Sequence, residues 1–419
     1  MRGGILIYQK TNLKDFIDQR IVRQALILYG SQILTQFLGI FTGMINTRIL
    51  SPDEYGLFAF FNTIIAFVLI FFEFGFPSST SILIAQSKKD HEEREYIGAS
   101  IILMLFVGIS FSLLLFSVSN LIDCVFNTNI GYIIRYCSFL LIFYPLTYLI
   151  PEIGKGTNKI KLMSLINVIP KSIYLCGATL FFFFFDISLI HVAFLNLISI
   201  TAGCFIVLYL FKPSFSTLKL RIKHILSKTK TYGFHIYIGA MARKSAYRLD
   251  GVFITFFVNA TQFGFYALST AITAPIMGLS SAVSISLFKK FVTMDRIPPK
   301  VFRYNFIWLA LCICGVILFR SVIIETIFTE KYIPVSSLVI PLAIAYFFRG
   351  LYQPYHFFLF AHEKGKVLRN IIVKGSILDL VGNLLLIPYF GAMGACIATL
   401  ISSVFLYTIY QKSYKEMIK

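Results

Sequence analysis

The chain has 419 residues, 57% of them hydrophobic and only 14% charged, with a formal net charge of +19 at pH 7. Soluble domains carry about 25% charged residues, and the mean hydropathy here is +0.79, so a soluble globular fold is excluded. A transmembrane β-barrel is excluded as well, because its strands alternate apolar and polar residues over about 10 positions, whereas IILMLFVGISFSLLLF (101–116) is continuously apolar.

In chain order, residues 8–23, YQKTNLKDFIDQRIVR, are polar and basic and do not form a secretory leader, so the first span is expected to stay in the protein. Apolar runs long enough to cross roughly 30 Å of hydrocarbon as helices then recur to the end. They predict twelve spans: 24–47, 57–85, 97–118, 131–151, 162–185, 189–211, 232–257, 264–288, 302–322, 335–360, 370–388 and 391–411. The fifth and sixth are joined only by DIS (186–188), and the last two only by YFG (389–391).

The N-terminus and every second connection are rich in Lys and Arg, among them Lys88, Lys89 and Arg94, then Lys155, Lys159 and Lys161, then Lys212, Lys219, Arg221, Lys223, Lys228 and Lys230. The alternate connections hold only Arg48, Arg320 and Lys331. Cytoplasmic loops accumulate such cations, which predicts both termini in the cytoplasm. The net charge is then mainly a topology signal, with anionic lipid as its other attraction, and no nucleic-acid partner is expected. The seven cysteines form no CxxC pair, lie mostly in apolar runs and read as small buried hydrophobes.

Six spans precede the basic connection and six follow it, so both halves start on the same side, as in parallel repeats. PDEYGLFA (52–59) after the first span is echoed by ATQFGFYA (260–267) after the seventh. LIDCVF (121–126) and IIETIF (323–328) each follow the third span of their half. The expected organisation is an N-terminal half at 1–211, a basic cytoplasmic linker at 212–231 and a C-terminal half at 232–419. The fold class is an all-α polytopic membrane protein with twelve transmembrane helices in two pseudo-symmetric six-helix bundles.

RILSPDEYGLFAF (48–60) after an amphipathic first span, together with NLLLIPYFGAMGACIATLIS (383–402), resembles the polysaccharide transporters of the multidrug/oligosaccharidyl-lipid/polysaccharide (MOP) exporter superfamily. Within that superfamily the chain is most similar to the Wzx-type flippases of O-antigen and capsule repeat units. The resemblance spans the whole chain. It implies a V-shaped pair of bundles around a central cavity, alternating access, a bacterial inner-membrane location and a substrate carried on undecaprenyl diphosphate. It further implies a polysaccharide polymerase and a chain-length regulator as partners, and no cofactor. The related lipid II flippases usually have fourteen spans, against twelve here.

The seventh span contains GAMARKSAYRLDGVFITFF (239–257). Were 239–250 outside the membrane, only LDGVFITFFV would remain before Asn259, about 15 Å of helix and too short to cross. Arg243 and Lys244 therefore fall near mid-span. At 100° per residue Arg243, Tyr247 and Asp250 share a face, with Lys244 and Arg248 beside it. Each central cation costs about 2.5–3.5 kcal/mol on insertion scales. Two readings stay open: snorkelling with an Arg–Asp pair between helices, or an anion site facing a water-filled cavity. The excess of cations over nearby acids favours the second. Arg binds phosphate oxygens bidentately and stays charged in a poor dielectric. In the tenth span Tyr346, Arg349, Gln353 and His356 share a face and extend the candidate diphosphate and glycan site to Arg349 and Gln353. The intramembrane acids Asp250, Glu73 and Asp379 are candidates for coupling a proton or sodium ion. Arg135, Lys171 and Lys374 are weaker candidates.

Neither GK at 154–155 nor GK at 365–366 has the glycine five residues earlier that a P-loop requires, and there is no HExxH or DxD. An enzyme is not expected. The competing readings are a multidrug or organic-ion exporter of the same superfamily, which would want an acidic or aromatic cavity, a membrane glycan polymerase or ligase, and a flippase for another anionic lipid.

Overall fold

The computed structural model describes residues 19–184 and 187–418, with the side chains of 19–26, 28, 29, 235, 236, 239, 240, 242–247 and 289 outside the described set. The first half is built from α1 (Gln19–Ile49), α2 (Pro52–Ile70), α3 (Phe76–Gln86), α4 (Asp90–Phe126), α5 (Gly131–Leu141), α6 (Leu146–Gly156), α7 (Ile160–Phe184) and α8 (Leu189–Phe211). The linker contains α9 (Leu218–Lys228), which runs through a π-helical turn, Thr229–Gly233, into α10 (Phe234–Phe257). The second half continues with α11 (Ala260–Thr273), α12 (Pro275–Ser286), α13 (Phe288–Val292), α14 (Pro299–Leu318), α15 (Arg320–Ile323), α16 (Val335–Ala361), α17 (Gly365–Phe390) and α18 (Ala392–Ile418). No strand occurs among the described residues.

Every expected span falls on one helix or one broken pair. Nine described helical segments are apolar and long enough to cross a membrane, and ten when α11 and α12, bent by 43°, are taken together. The other two expected spans are α1 and α10, 31 and 24 residues long, each of which includes residues outside the described set. The breaks have local causes. Pro275 cannot donate to the preceding turn and bends α11 against α12. Between α2 and α3 the chain turns through Phe74 and Gly75, both at positive φ. A Cβ on Gly75 (φ +79°) would also run into the backbone oxygen of Gly233, so only glycine fits there.

The two segments that carry the echoed motif, at the starts of α2 and α11, both begin with a side-chain cap. Ser51 and Glu54 form a reciprocal capping box at the start of α2, with Ser51 N donating to Glu54 Oε2 at 3.0 Å. Asn259 caps α11 by accepting from Gln262 N at 2.8 Å. The two helices cross at their shared glycines. A Cβ on Gly264 would lie 2.8 Å from Gly56 Cα, and one on Gly56 would lie 2.6 Å from the carbonyl carbon of Ala260. Thr261 Oγ1 donates to Asp53 Oδ1 at 2.6 Å across the same crossing.

This distal end, opposite the linker, shares one hydrophobic core between the halves, with Phe60, Phe61 and Ile133 packed in the same cluster as Phe263, Phe328 and Leu338. Arg48 stitches it further, donating to the backbone oxygens of Ile327 (2.6 Å) and Thr326 (3.0 Å), and Tyr332 Oη donates to Leu50 O at 3.0 Å. At the linker end the cores are separate. One gathers Ile84, Ile97, Ile150, Cys204 and Ile225 in the first half, the other Phe291, Phe358, Tyr410 and Tyr414 in the second. The halves are thus two lobes joined distally and apart near the linker. Helix α10 passes between them, its start against α3 and its later turns against α2, α11 and α17.

Candidate functional site

Helix α10 is continuous through its cations, so Arg243, Lys244 and Arg248 are carried on one helix about 36 Å long. The side chains of Arg243, Lys244 and Tyr247 lie outside the described set. Arg248 is described. It is exposed, has no ion-pair partner among the described residues, and lies within electrostatic reach of Tyr144 and Tyr148 of the first lobe. Tyr144 lies in the break between α5 and α6, and Tyr148 in the first turn of α6. Tyr148 is also within reach of Glu73, a buried acid at the α2–α3 break that influences Tyr237 of α10 as well. Arg248 therefore faces across the space between the lobes.

Asp250, two residues on and about 200° round the helix, faces the second lobe instead. Its Oδ2 accepts from Tyr266 Oη at 2.8 Å and its Oδ1 from Asn383 Nδ2 at 2.7 Å. Tyr266 Oη is 3.4 Å from Thr399 Oγ1. Asp379 accepts from Ser402 Oγ at 2.9 Å, and Arg349 donates through Nε to Ser403 Oγ at 3.0 Å with its guanidinium 5.2 Å from the Tyr346 ring centroid. Asp250, Asp379 and Arg349 feel one another's charge. The second lobe thus holds two carboxylates and one guanidinium within its interior. The Oδ1 of Asn383 is buried there with no hydrogen-bond partner. Such an oxygen-rich, net acidic pocket suits a proton or a small hard cation.

The stripe expected on the tenth span lies along one face of α16, and that face packs within the second lobe. Gln353 is buried with Nε2 3.2 Å from Met277 Sδ, and His356 Nδ1 is 3.0 Å from Tyr410 Oη. Lys171 in α7 donates to Thr35 O of α1 at 3.1 Å, and Arg135 bonds Ser119 at 2.9 Å as well as Asn120. Lys374 is exposed and does not pair with Asp379.

The model of the family described as polysaccharide biosynthesis protein matches residues 21–288, more than half of the chain. The chain belongs to that family. No curated protein matches it. Among solved structures it is similar to the lipid II flippase MurJ in an inward closed conformation, at 16% identity and TM-score 0.74 over 93% of this chain and 87% of that one. It is also similar to an inward-facing multidrug resistance MATE family transporter of the MOP superfamily (12% identity, TM-score 0.71, 94% and 98% covered). A third is the MATE multidrug transporter DinF-BH (13% identity, TM-score 0.65, 96% of each chain). At these identities the likeness establishes the fold, the two-lobed helical bundle of the MOP-superfamily transporters.

Several polar residues of this family member escape a reading by spans. Tyr144 and Tyr148 carried a signal, two tyrosines one turn apart around Pro145 in FYPLTY. Tyr266 lies in the repeated motif, and Thr399, Ser402 and Ser403 in the TLISS segment of α18. Their partners depend on which helices are neighbours, and spacing along one chain segment does not carry that.

Proposed function

We propose that this protein moves undecaprenyl-diphosphate-linked oligosaccharide repeat units across the bacterial cytoplasmic membrane by alternating access, for O-antigen or capsule assembly, without covalent chemistry. The observation that carries the reading is Arg248, exposed between the lobes opposite Tyr144 and Tyr148 with no carboxylate to neutralise it among the described residues. A diphosphate supplies the missing negative charge and several acceptor oxygens. Arg243, Lys244 and Tyr247 join Arg248 from α10, and Arg349 adds positive potential from the second lobe. The polyprenyl tail stays in lipid while the headgroup crosses.

On the charge asymmetry of the connections, the linker end and both termini are cytoplasmic. The distal seal then makes this conformer the inward-facing one. Asp250 and Asp379, with Glu73 on the other lobe, take a proton or sodium ion whose movement drives the change of access. A polysaccharide polymerase and a chain-length regulator act on the exported unit.

A multidrug exporter of the same fold is the alternative, but a cationic inter-lobe face repels organic cations. The test is translocation in vesicles containing the purified protein. Saturable movement of diphosphate-linked glycan, with no uptake of organic cations, is expected. The reverse selectivity overturns the assignment.

A further inference from the structure

Outside the inter-lobe site, the densest uncompensated charge lies on the linker. Segment 212–231, KPSFSTLKLRIKHILSKTKT, contains Lys212, Lys219, Arg221, Lys223, Lys228 and Lys230 and no Asp or Glu. Among the described residues only Arg221 of these cations has a carboxylate partner. Its Nε donates to Glu95 Oε2 at 2.9 Å, its Nη1 donates to Tyr96 Oη at 3.2 Å, and its guanidinium sits 4.7 Å from the Tyr96 ring centroid. Ser216 Oγ donates to Glu95 Oε1 at 2.9 Å. One turn on, Ile225 is fully buried in the core of the first lobe, and Thr229 Oγ1 donates to Ser79 Oγ at 2.9 Å.

This clamp makes α9 part of the first lobe and fixes which side of the helix faces outward. The outward side carries Lys219, Lys223 and Lys230, all exposed, interleaved with Leu220 (51% exposed) and Leu226 (39% exposed). The same end of the lobe bears exposed Lys88, Lys89 and Lys159, and Lys155 paired with Glu152. Bulk water suits the lysines but not the leucines, and hydrocarbon the reverse. An acidic bilayer surface suits both, with phosphates for the ammonium groups and the headgroup–acyl boundary for the leucines.

We propose that α9 and the turn after it dock on the leaflet at the linker end, with Lys219 and Lys223 of α9 and Lys230 of the π-helical turn on acidic phospholipid headgroups and Leu220 and Leu226 entering between them. The first lobe is then the lobe anchored to the surface.

The test is amide hydrogen exchange of 218–230 in the full-length protein, in nanodiscs of phosphatidylcholine and in nanodiscs with about a third phosphatidylglycerol. No lipid-linked glycan is present, so a difference reports bilayer lipid and not substrate. Exchange is expected to slow with phosphatidylglycerol by on the order of fivefold per engaged lysine. The effect should vanish in the Lys219→Gln/Lys223→Gln/Lys230→Gln variant and at about 0.5 M salt, where the Debye length falls to a few ångströms. The clamp residues are untouched, so the variant keeps its fold. Equal exchange in the two bilayers, as expected if the basic face serves an acidic protein instead, overturns the proposal. So does a lipid effect that survives the triple substitution.

Discussion

Replacing Gly56 by alanine puts a methyl group where α2 crosses α11. Its Cβ would lie 2.6 Å from the carbonyl carbon of Ala260 and 2.8 Å from Thr261 Cα, and closer still to Ala260 O. All three are backbone atoms of the other lobe, so no side chain can rotate away. The helices must separate locally, and overpacking of this kind costs about 1–3 kcal/mol. The cost falls only on conformers sealed at the distal end, because only there do the two glycines meet. The ratio of sealed to open conformers should therefore fall by roughly 5–150-fold. Asp53 and Thr261, in contact across the seal, give the assay: the yield of a disulfide between Asp53→Cys and Thr261→Cys, with and without Gly56→Ala, identified by peptide mapping. A large drop in yield with the protein still folded is expected. Unchanged yield together with an unchanged melting temperature would show that the crossing is not tight and refute the argument.

Gly75→Ala forces a Cβ into a left-handed conformation and against Gly233 O. It should lower thermal stability by about 1–3 kcal/mol in a detergent unfolding assay. Asp250→Asn keeps the shape of the pocket but removes its charge; a folded protein whose transport no longer responds to a proton or sodium gradient is expected, and an unaltered gradient response would remove Asp250 from coupling. Glu95 gives a pH prediction. Burial raises its carboxyl, but the Ser216 hydroxyl and the Arg221 guanidinium, both hydrogen-bonded to it, outweigh that and hold it at about 2, against 4.5 unperturbed. A depressed acid stabilises the folded state fully above its unfolded value and loses that contribution as pH falls toward the folded one. Proteolytic protection of the linker should therefore be constant from neutral pH down to about 4.5 and weaken below it. In Glu95→Gln the weakened protection should already be present at neutral pH.

Hydropathy made ten of the twelve expected spans legible as apolar helices, counting the bent α11–α12 pair as one, because a helix in lipid must be long and apolar whatever its neighbours. Span ends were not, since α4 continues from Asp90 to Phe126, well beyond the apolar window at 97–118. The break at 71–75 was hidden because FFEFG reads as apolar, and only the backbone shows Phe74 and Gly75 at positive φ. The linker looked like a basic connection. Its helix emerges because Arg221 finds Glu95, more than a hundred residues earlier in the chain, and Ile225 enters the apolar core of the first lobe. The echoed motif was readable in the sequence, but not as the point where the lobes cross. At the site, the cations of α10 stood out on their cost in lipid, and the periodicity of Tyr346, Arg349, Gln353 and His356 did place them on one helix face. That this face meets α18 and α12, and that Asp250 faces Asn383 and Tyr266, follows from helix packing across the lobe. Residue spacing within one helix carries no information about it.

The most direct test is the rate at which reconstituted protein translocates an undecaprenyl-diphosphate-linked oligosaccharide, compared between the natural chain and Arg248→Gln. Loss of charged hydrogen bonds worth about 1.5–3 kcal/mol predicts a fall on the order of 10- to 100-fold, with the variant still folded. An undiminished rate would contradict a diphosphate site on α10.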